Sequence, residues 1–410
     1  MHKFNLNKFV LLGCLYVSQY IPIAFFYQAL PVFLRQRGVA LDAIGLLSLV
    51  SLPWMLKFLW SPIVDRYSFS TREHYRPWIL GCQSLLAFTL VVCAFLDIEQ
   101  NPSAMIVSLF LVCVLAATQD IATDALAIGL LSVQERGVGN GVQSAGNYLG
   151  AIIGGGGMLV LLGRLGWQVS LLTLALLILL ASIPIWRHQE KPRTHAAAEK
   201  PNFSALVNFC RRRGMEHWLL ILLTYTLGPR MATAMFQPLL VDLGFSLADI
   251  GLLIGIVGYS ASMVGAPLAG FLIAPLGRKR SLVIFGLLQS VAIAVYLLPG
   301  MGITNLPWLY LACITVQLFL AMAYTAEFTV MMDKSALNTA GTDYTLQTSV
   351  LTLSSILAGT LGGLIAEAIG YASLFGVAMV IGLASVVYIA RNFERTPGPE
   401  TLQQETGART

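Results

Sequence analysis

Hydrophobic residues along the chain come in long blocks that short polar segments separate. Twelve blocks are long enough for a helix to cross about 30 Å of hydrocarbon, which takes about 20 residues at 1.5 Å per residue. They lie near residues 9–34, 41–60, 77–95, 104–128, 138–162, 166–186, 217–241, 246–273, 281–299, 306–330, 345–368 and 371–391. The pattern therefore predicts an all-α membrane protein with twelve transmembrane helices.

One polar segment, residues 187–216, is longer than the others and separates the sixth block from the seventh. It divides the chain into an N-terminal six-helix bundle (1–186), a cytoplasmic linker (187–216) and a C-terminal six-helix bundle (217–391). Residues 392–410 form a polar cytoplasmic tail. The linker contains the largest group of cations in the chain: Arg187, Lys191, Arg193, Lys200, Arg211, Arg212 and Arg213.

The charged residues leave the predicted fold unchanged and indicate its orientation in the membrane. Charged residues make up 11% of the chain, whereas soluble domains have about 25%. Lys and Arg in short loops are retained in the cytoplasm, and among the loop cations only Arg35, Arg37 and Arg164 would lie outside if the N-terminus lies inside. Both termini are thus predicted to be cytoplasmic. The net charge of +5 follows from this bias and calls for no nucleic-acid partner.

The two halves of the chain repeat one another. Gly38–Leu47 opens the second block and Gly244–Leu253 opens the eighth, with similar residues at an offset of 206. A cytoplasmic turn follows each block, Ser61–Arg66 in the first half and Gly270–Arg280 in the second. Six helices repeated in parallel resemble the fold of the major facilitators. The resemblance implies a secondary transporter.

Both turns resemble the cytoplasmic loop motif of the major facilitators. The first keeps Asp65 and Arg66, and the second keeps Gly277 and Arg278 but has Ala274 in place of the acid. An acid at a helix end can bind the N-terminus of a neighbouring helix or an arginine, which would hold one conformation. We expect these four residues to act in gating. The alternative is a charge cluster that only sets topology.

Longer motifs in the first half indicate a branch of this superfamily. Leu56–Arg66, Thr118–Ala125 and Glu135–Gly141 together resemble the branch of the muropeptide permeases, the acetyl-CoA transporters and the inner-membrane siderophore permeases. Muropeptide permeases tend to have K-x-G-D in the seventh helix, where this chain has Thr226–Pro229. This departure favours the siderophore permeases. The resemblance also implies a bacterial inner membrane.

Charges inside the blocks are the strongest site markers, because a bare charge in a span costs about 2.5–3.5 kcal/mol or more. Asp120 and Asp124 are four residues apart and share one helix face. Glu327 occupies the position of Asp124 after a shift of 203 residues. Carboxylates that lie close together repel, so one of them takes up a proton more readily. We predict proton coupling by these acids, tuned by Lys57; a static charge network is the alternative.

Arg230 lies near the middle of the seventh block, directly after Gly228 and Pro229. Proline weakens the helix and leaves a carbonyl without its donor. We expect a bent segment with a fixed cation that binds an anionic solute. The alternative is a structural ion pair between Arg230 and Glu327.

Amphipathic residues around these charges complete the predicted solute site. They occur on the first, fifth, seventh and tenth helices: Tyr20, Phe26, Gln28, Gln143, Asn147, Phe236, Gln237 and Tyr324. As a set they suit a bulky, partly aromatic anion. For any one aromatic residue, packing or an interfacial belt is the alternative.

Several classes of function are excluded or disfavoured. The chain has no HExxH, no Cys/His pair with a base, and no glycine-rich phosphate loop of the ATPase type. Its six cysteines are isolated and its five histidines lie in loops or helix ends, so no metal or other cofactor is predicted. We predict that the chain is not an enzyme. A non-transporting sensor or scaffold of the same fold stays open.

The sequence thus favours a proton-coupled importer of a siderophore or ferric siderophore of the pyochelin or rhizobactin kind. A muropeptide permease of cell-wall recycling is the alternative. The expected partners are the solute, protons and the lipid bilayer, and the expected state is a monomer.

Overall fold

The structure is a computed structural model that describes residues 6–31, 33, 52–70, 73–96, 102–190 and 202–395. Every regular element in these ranges is helical. Several predicted features lie outside the described residues: the repeated segment Gly38–Leu47, the loop residues Arg35 and Arg37, the linker residues Lys191, Arg193 and Lys200, and the tail after residue 395.

The first half contributes eight α-helices: α1 Leu6–Ala24, α2 Leu52–Leu56, α3 Ser61–Arg66, α4 Tyr75–Phe95, α5 Pro102–Leu130, α6 Arg136–Ala151, α7 Met158–Ala181 and α8 Ile183–Arg187. Two π-helical segments, Phe25–Ala29 and Ile152–Gly157, follow α1 and α6 directly. A 3₁₀ turn, Lys57–Leu59, joins α2 to the short loop before α3.

The linker and the second half contribute nine more: α9 Ser204–Arg211, α10 Met215–Thr224, α11 Leu227–Asp242, α12 Leu247–Ile250, α13 Tyr259–Leu276, α14 Arg278–Ala292, α15 Leu297–Gly300, α16 Leu306–Asp333 and α17 Ala340–Asn392. A π-helical segment, Gly251–Gly258, connects α12 to α13. Three 3₁₀ turns lie at Ile293–Tyr296, Leu337–Thr339 and Phe393–Arg395.

Within the described residues, nine helical stretches are long and apolar enough to cross a membrane. Two of them, Arg136–Arg187 and Leu337–Asn392, have more than 50 residues and therefore hold two crossings each. Eleven of the twelve predicted spans are thus present. The second, residues 41–60, begins outside the described part of the chain, where only α2 and the turn after it remain. The predicted all-α membrane fold is confirmed.

Both double stretches bend at a glycine in the left-handed region of φ. Gly166 has φ 76° and Gly370 has φ 81°, and nothing crowds either Cα. Other residues rarely adopt this conformation, so glycine lets one helix end and the next begin with almost no loop. The two positions are 204 residues apart, close to the offset of the repeated sequence segments. The repeat seen in the sequence therefore extends to the backbone.

The chain divides into two compact units. The first comprises Met1–Leu130, Gly146–Leu206 and Leu337–Thr345, and the second comprises Leu131–Ala145, Val207–Ala336 and Leu346–Thr410. The predicted division at the linker stays a prediction. Two short segments belong to the unit opposite their sequence half, because the start of α6 packs with α13 and the start of α17 packs with α3.

Each unit has its own hydrophobic core. The core of the first gathers residues of α1, α4, α5 and α7, and Trp167 stacks there on Phe33 with ring centroids 5.5 Å apart. The core of the second gathers residues of α11, α14, α16 and α17, and Phe236 stacks on Tyr296 at 4.0 Å. Because lipid tails are as apolar as these side chains, close van der Waals packing, rather than removal from water, stabilises each core.

Helix α1 and the end of α6 approach within backbone contact in the first unit. A Cβ on Gly150 would lie 2.8 Å from the Cβ of Tyr20, and a Cβ on Gly154 would overlap the carbonyl of Ile21. Small residues permit this close approach between membrane helices. Glycine at position 154 therefore allows α1 and the segment after α6 to pack closely.

Candidate functional site

A buried charge cluster lies in the first unit, where α1 and α5 meet the turn before α3. Lys57 forms an ion pair with Asp120, and Gln19 donates a hydrogen bond to the same carboxylate. One helical turn further along α5, Asp124 accepts a hydrogen bond of 2.9 Å from the hydroxyl of Tyr16. All five side chains are buried. The cation sits 5.0 Å from the centre of the Trp54 ring, which shields it further.

This cluster contains the predicted residues Lys57, Asp120 and Asp124, but the two acids have different partners. Asp120 has a cation and an amide as partners, so its charge is compensated. Asp124 has a neutral phenol. An ion pair and a hydrogen bond both stabilise the charged form of a carboxylate, and Asp120 therefore fits the static alternative better than Asp124 does.

The pair Lys57–Asp120 leads to a stability prediction. Lys57→Met should destabilise the purified protein by about 3–5 kcal/mol, because it leaves the Asp120 carboxylate buried without its cation. The double variant Lys57→Met/Asp120→Asn should recover most of this loss, since no unpaired charge remains. Thermal unfolding followed by tryptophan fluorescence measures both. A double variant as unstable as the single one would contradict the ion-pair interpretation, and transport by a stable double variant would assign the pair to structure alone.

A second cluster lies in the second unit, on α11 and α16. The guanidinium of Arg230 lies 4.8 Å from the centre of the Tyr324 ring, and its Nε donates a 3.1 Å hydrogen bond to Thr226, one turn earlier. Thr226 precedes α11 as its N-cap, and Pro229 lies in the first turn. Arg230 makes no ion pair within 4.0 Å among the described residues. Stacking on a tyrosine leaves the planar fork open to bind a carboxylate.

Glu327 lies three residues after Tyr324 on α16 and is fully buried. Within the described residues, neither of its carboxylate oxygens has a hydrogen-bond partner. Arg230 acts on it electrostatically, yet the two do not form a salt bridge in the described part of the chain. The structural ion pair kept open by the sequence is therefore absent here. An unpartnered buried carboxylate is expensive in its charged form, which makes Glu327 the most unusual acid of the described residues.

Several side-chain amides also have one buried atom without a hydrogen-bond partner within the described ranges. The predicted residues Gln143 and Asn147 each have an unpaired side-chain oxygen on α6. Gln119 on α5, Asn140 on α6 and Gln289 on α14 have one unpaired amide atom each. Buried polar atoms are normally hydrogen-bonded. Groups that are not are candidates to bind water or a polar solute.

Other predicted solute-binding residues lie in packed positions. Phe236 is buried in the core of the second unit, and Phe26 packs edge-on against Phe25 in the core of the first at 5.5 Å. Tyr20 and Gln28 face Gly150 and Gly155 across the α1–α6 contact. Gln237 is exposed on α11. The positions of Phe26 and Phe236 therefore fit core packing, the alternative role of single aromatic residues, better than solute binding.

The predicted gating residue Asp65 is 1% exposed and binds the first turn of α17. Its carboxylate accepts hydrogen bonds from the backbone N–H groups of Gly341 (3.1 Å) and Thr342 (2.7 Å) and from the Thr342 hydroxyl (2.7 Å). Tyr75 donates a further bond of 2.7 Å. These N–H groups have no partner inside the helix, and a carboxylate there also meets the positive end of the helix dipole. A Cβ on Gly341 would lie 2.8 Å from the carboxylate, so glycine permits the contact.

The corresponding turn of the second repeat makes a different contact. Arg278 donates to Asp333 at the end of α16 (2.5 Å) and to the carbonyl of Val133 (2.6 Å). Arg136, the first residue of α6, binds the other oxygen of Asp333 at 2.9 Å. The second repeat has Ala274 where the motif has an acid. In this repeat the carboxylate comes from Asp333, which binds both Arg278 and Arg136. Charge-assisted bonds of this kind are the stronger class.

The other two predicted gating residues, Arg66 and Gly277, lie in different surroundings from Asp65 and Arg278. Arg66 is exposed, and its guanidinium lies 5.7 Å from the Tyr67 ring. Gly277, with φ 78°, lies between α13 and α14 and lets the chain turn into Arg278. Sequence reasoning missed Asp333 and the part played by Arg136. Arg136 could have been identified from the sequence, because it belongs to the Glu135–Gly141 motif.

Lys334 was also missed, and it follows Asp333 directly. Its ammonium lies 5.1 Å from the ring of Trp218 and 5.5 Å from that of Phe393. Burial lowers the pKa of Lys334 to about 7, and the charge of Asp333 partly offsets this effect. Aromatic faces can stabilise such a cation. Lys334 therefore ties the end of α16 to α10 and to the turn after α17.

The gating contact of Asp65 leads to a second prediction. Asp65→Asn should lower the transport rate about 5- to 150-fold, because losing 1–3 kcal/mol from the capped state shifts a conformational equilibrium by that factor. Membrane insertion should stay normal. Uptake per inserted protein in vesicles measures the effect. Arg187→Gln, which changes an exposed charge at the end of α8, is the control and should transport normally; uptake by Asp65→Asn equal to that of the control would remove Asp65 from gating.

Apolar helices long enough to cross a membrane, two repeated halves and buried charges define a multi-pass membrane transporter. The chain belongs to the Major Facilitator Superfamily, whose family model matches residues 12–359. It is 28% identical to the anhydromuropeptide permease of Escherichia coli (strain K12) over 384 residues, which cover 92% of this chain and 78% of that protein. An uncharacterized protein of Haemophilus influenzae is 28% identical over 383 residues, 90% of each chain. Among solved structures, the human organic anion transporter MFSD10 (TETRAN) has the same fold, with a TM-score of 0.73 at 17% identity over 93% of this chain and 98% of that one.

These relatives bear on the branch predicted from the sequence. Membership of the superfamily and similarity to the muropeptide permeases are confirmed, as is the prediction that the chain is not an enzyme. The greater closeness to siderophore permeases is not supported. That preference rested on the number of spans and on the departure at Thr226–Pro229, which comprises the N-cap and the first turn of α11, whereas the similarity to the anhydromuropeptide permease covers nearly the whole chain.

Proposed function

We propose that this chain is a permease that carries an anhydromuropeptide, or a chemically similar peptidoglycan fragment, across a bacterial inner membrane. Similarity to an anhydromuropeptide permease over 92% of the chain is the observation that carries the proposal. The distribution of cations predicts that both termini of this multi-pass fold lie in the cytoplasm.

The chemistry of the buried polar groups supports this solute class. A muropeptide joins amino sugars to a short peptide, so it presents hydroxyls, amides and carboxylates together. Arg230 offers a cation for a carboxylate, and the Tyr324 ring that it stacks on adds an apolar face. In the same unit, the unpaired amide oxygen of Gln143 can accept a hydrogen bond from an amide or a hydroxyl. These groups match the carboxylates, amides and hydroxyls of a sugar–peptide solute.

Transport against a gradient needs an energy source, and we propose that protons supply it through Glu327. The energetic argument is that a buried carboxylate without a partner avoids an uncompensated charge when it carries a proton. Arg230 lies close enough to act on Glu327 electrostatically. A solute carboxylate that binds Arg230 would weaken this influence, so solute binding and proton binding would depend on each other.

Purified protein in liposomes tests the solute class. Radiolabelled anhydromuramyl peptide should accumulate in the vesicles when the outside is made acidic, and a protonophore should abolish the accumulation. Empty liposomes and the same vesicles without a pH gradient are the controls. Uptake that is equal with and without the gradient would contradict proton coupling but leave the solute class intact.

The same vesicles distinguish the other two functions. Siderophore import keeps one observation in its favour, the absence of K-x-G-D at Thr226–Pro229. Uptake of a ferric siderophore without uptake of the muropeptide would replace the proposed solute. Binding of muropeptide without any transport, by protein that unfolds cooperatively, would indicate a sensor instead of a carrier.

A further inference from the structure

The linker helix α9 has two apolar faces, and only one of them is packed. Ala205 and Phe209 point into the protein, with 8% and 0% of their surface exposed. On the other side, Phe203 and Val207 are 60% and 49% exposed. Phe203 directly precedes the first residue of α9, and Val207 follows four residues later, so the two side chains lie on the same side of the helix. We name these two residues the outer stripe of α9; Cys210, also exposed, lies one turn beyond Val207.

Three arginines follow the outer stripe, and they do not behave alike. Arg212 turns back onto the protein, where its guanidinium lies 4.9 Å from the Phe209 ring and Nη1 donates to the carbonyl of Lys334 at 3.3 Å. Arg211 and Arg213 are exposed on either side of it. The end of α9 is therefore held in place while two cations and the outer stripe stay on the surface.

The position of α9 along the chain limits its distance from the membrane. A membrane-crossing stretch begins at Met215, directly after Gly214, whose φ of 79° turns the chain. Met215 is four residues after Arg211, and a fully extended chain spans at most about 14 Å over that length. The end of α9 thus lies within reach of the headgroup layer.

We propose that α9 lies in the lipid–water interface, with its outer stripe among the acyl chains and Arg211 and Arg213 on the headgroups of anionic phospholipids. An interfacial helix of this kind buries apolar side chains at the boundary and places cations at its polar edge. The charges are complementary, since each exposed arginine attracts a negatively charged bilayer surface. Planar guanidinium groups also suit phosphate. The surface is independent of the solute that the permease carries.

The exposed thiol of Cys210 allows a direct test on the full chain. Cys14 is half-buried and the remaining described cysteines are buried, so a nitroxide on Cys210 in a Cys14→Ser background reports on α9. The protein is reconstituted in phosphatidylcholine vesicles with and without phosphatidylglycerol. Collision of the label with oxygen, which dissolves in lipid, is compared with collision with a water-soluble nickel chelate. We expect phosphatidylglycerol to raise the first and lower the second, and high salt to reverse the change.

Variants of the outer stripe and of the arginines complete the test. Arg211→Gln together with Arg213→Gln should lower the docking equilibrium constant roughly 30-fold, from the usual contribution of two cations near an anionic surface. Val207→Asp should keep the label in water in both kinds of vesicle. The matched control, Arg280→Gln with Arg391→Gln, removes two exposed arginines elsewhere and should leave the label unchanged.

Three outcomes would overturn the proposal. A label that stays in water in both kinds of vesicle would show that the outer stripe does not enter the bilayer. A label shielded equally in both, and in detergent, would mean that another part of this chain covers it. Shielding that follows the protein density in the membrane instead of the lipid charge would indicate a second copy of the chain as the partner.

Discussion

Replacing Glu327 with glutamine is expected to abolish solute accumulation driven by a pH gradient while leaving solute exchange intact. Exchange of labelled for unlabelled solute needs no net proton movement, whereas accumulation does. Glutamine keeps the size of the side chain and removes the only atoms that titrate. The measurement is uptake and counterflow in the same batch of proteoliposomes, with each rate expressed per folded protein.

Two controls make the Glu327 result specific. Glu367→Gln changes an exposed acid on α17 and should leave both assays unchanged. Asp124→Asn changes the acid that occupies the equivalent position in the first half, where Tyr16 already donates to it. Full accumulation by Glu327→Gln would exclude Glu327 as the proton site, and loss of accumulation in Asp124→Asn alone would move that site to the first unit.

Replacing Arg230 with alanine is expected to weaken solute binding by about 30- to 1000-fold, which corresponds to 2–4 kcal/mol for a charge-assisted contact away from bulk water. The guanidinium lies 4.8 Å from the centre of the Tyr324 ring, and among the described residues only its Nε has a hydrogen-bond partner, so a solute carboxylate could bind the remaining N–H groups. Arg230→Lys should recover only part of the affinity, because an ammonium lacks the planar fork. Calorimetric titration of the purified protein with anhydromuramyl peptide measures the change.

The partners of Arg230 separate binding from positioning. Thr226→Val removes the hydrogen bond to Nε and keeps the stack on Tyr324, so it should weaken binding less than Arg230→Ala does. Arg164→Ala, which changes an exposed arginine in the first half, is the control for loss of a positive charge. Equal affinity of the wild type and Arg230→Ala would remove Arg230 from the solute site.

The two gating turns show which contacts a sequence does not reveal. Asp65 and Arg278 were identified because they match the same loop motif in each half, and the lack of an acid at Ala274 was visible as well. The partners were not visible. Asp65 binds backbone N–H groups at residues 341 and 342, and no pattern of side chains marks such donors. Asp333, which binds Arg278, is a single acid after a long apolar helix, and only its position in space distinguishes it.

The intramembrane charges show the same limit. Hydropathy alone identified Lys57, Asp120, Asp124, Arg230 and Glu327 as costly charges inside the apolar blocks. It could not say that Lys57 compensates Asp120, or that Arg230 and Glu327 form no salt bridge, because a difference of a few ångströms decides which charges are paired. The functional ranking of the acids follows from those distances.

The sequence by itself determined the membrane class, the approximate positions of the spans, the doubled architecture and the charges inside the apolar blocks. Each of these depends on quantities that are local along the chain, namely the length of an apolar block, the position of a glycine or the spacing of a repeat. The tertiary structure alone decided which charges are compensated, which helix end each gating residue binds, and which aromatic residues are packing. These depend on contacts between residues up to 277 positions apart, and short-range electrostatics and packing act on distance in space, which a sequence pattern does not contain.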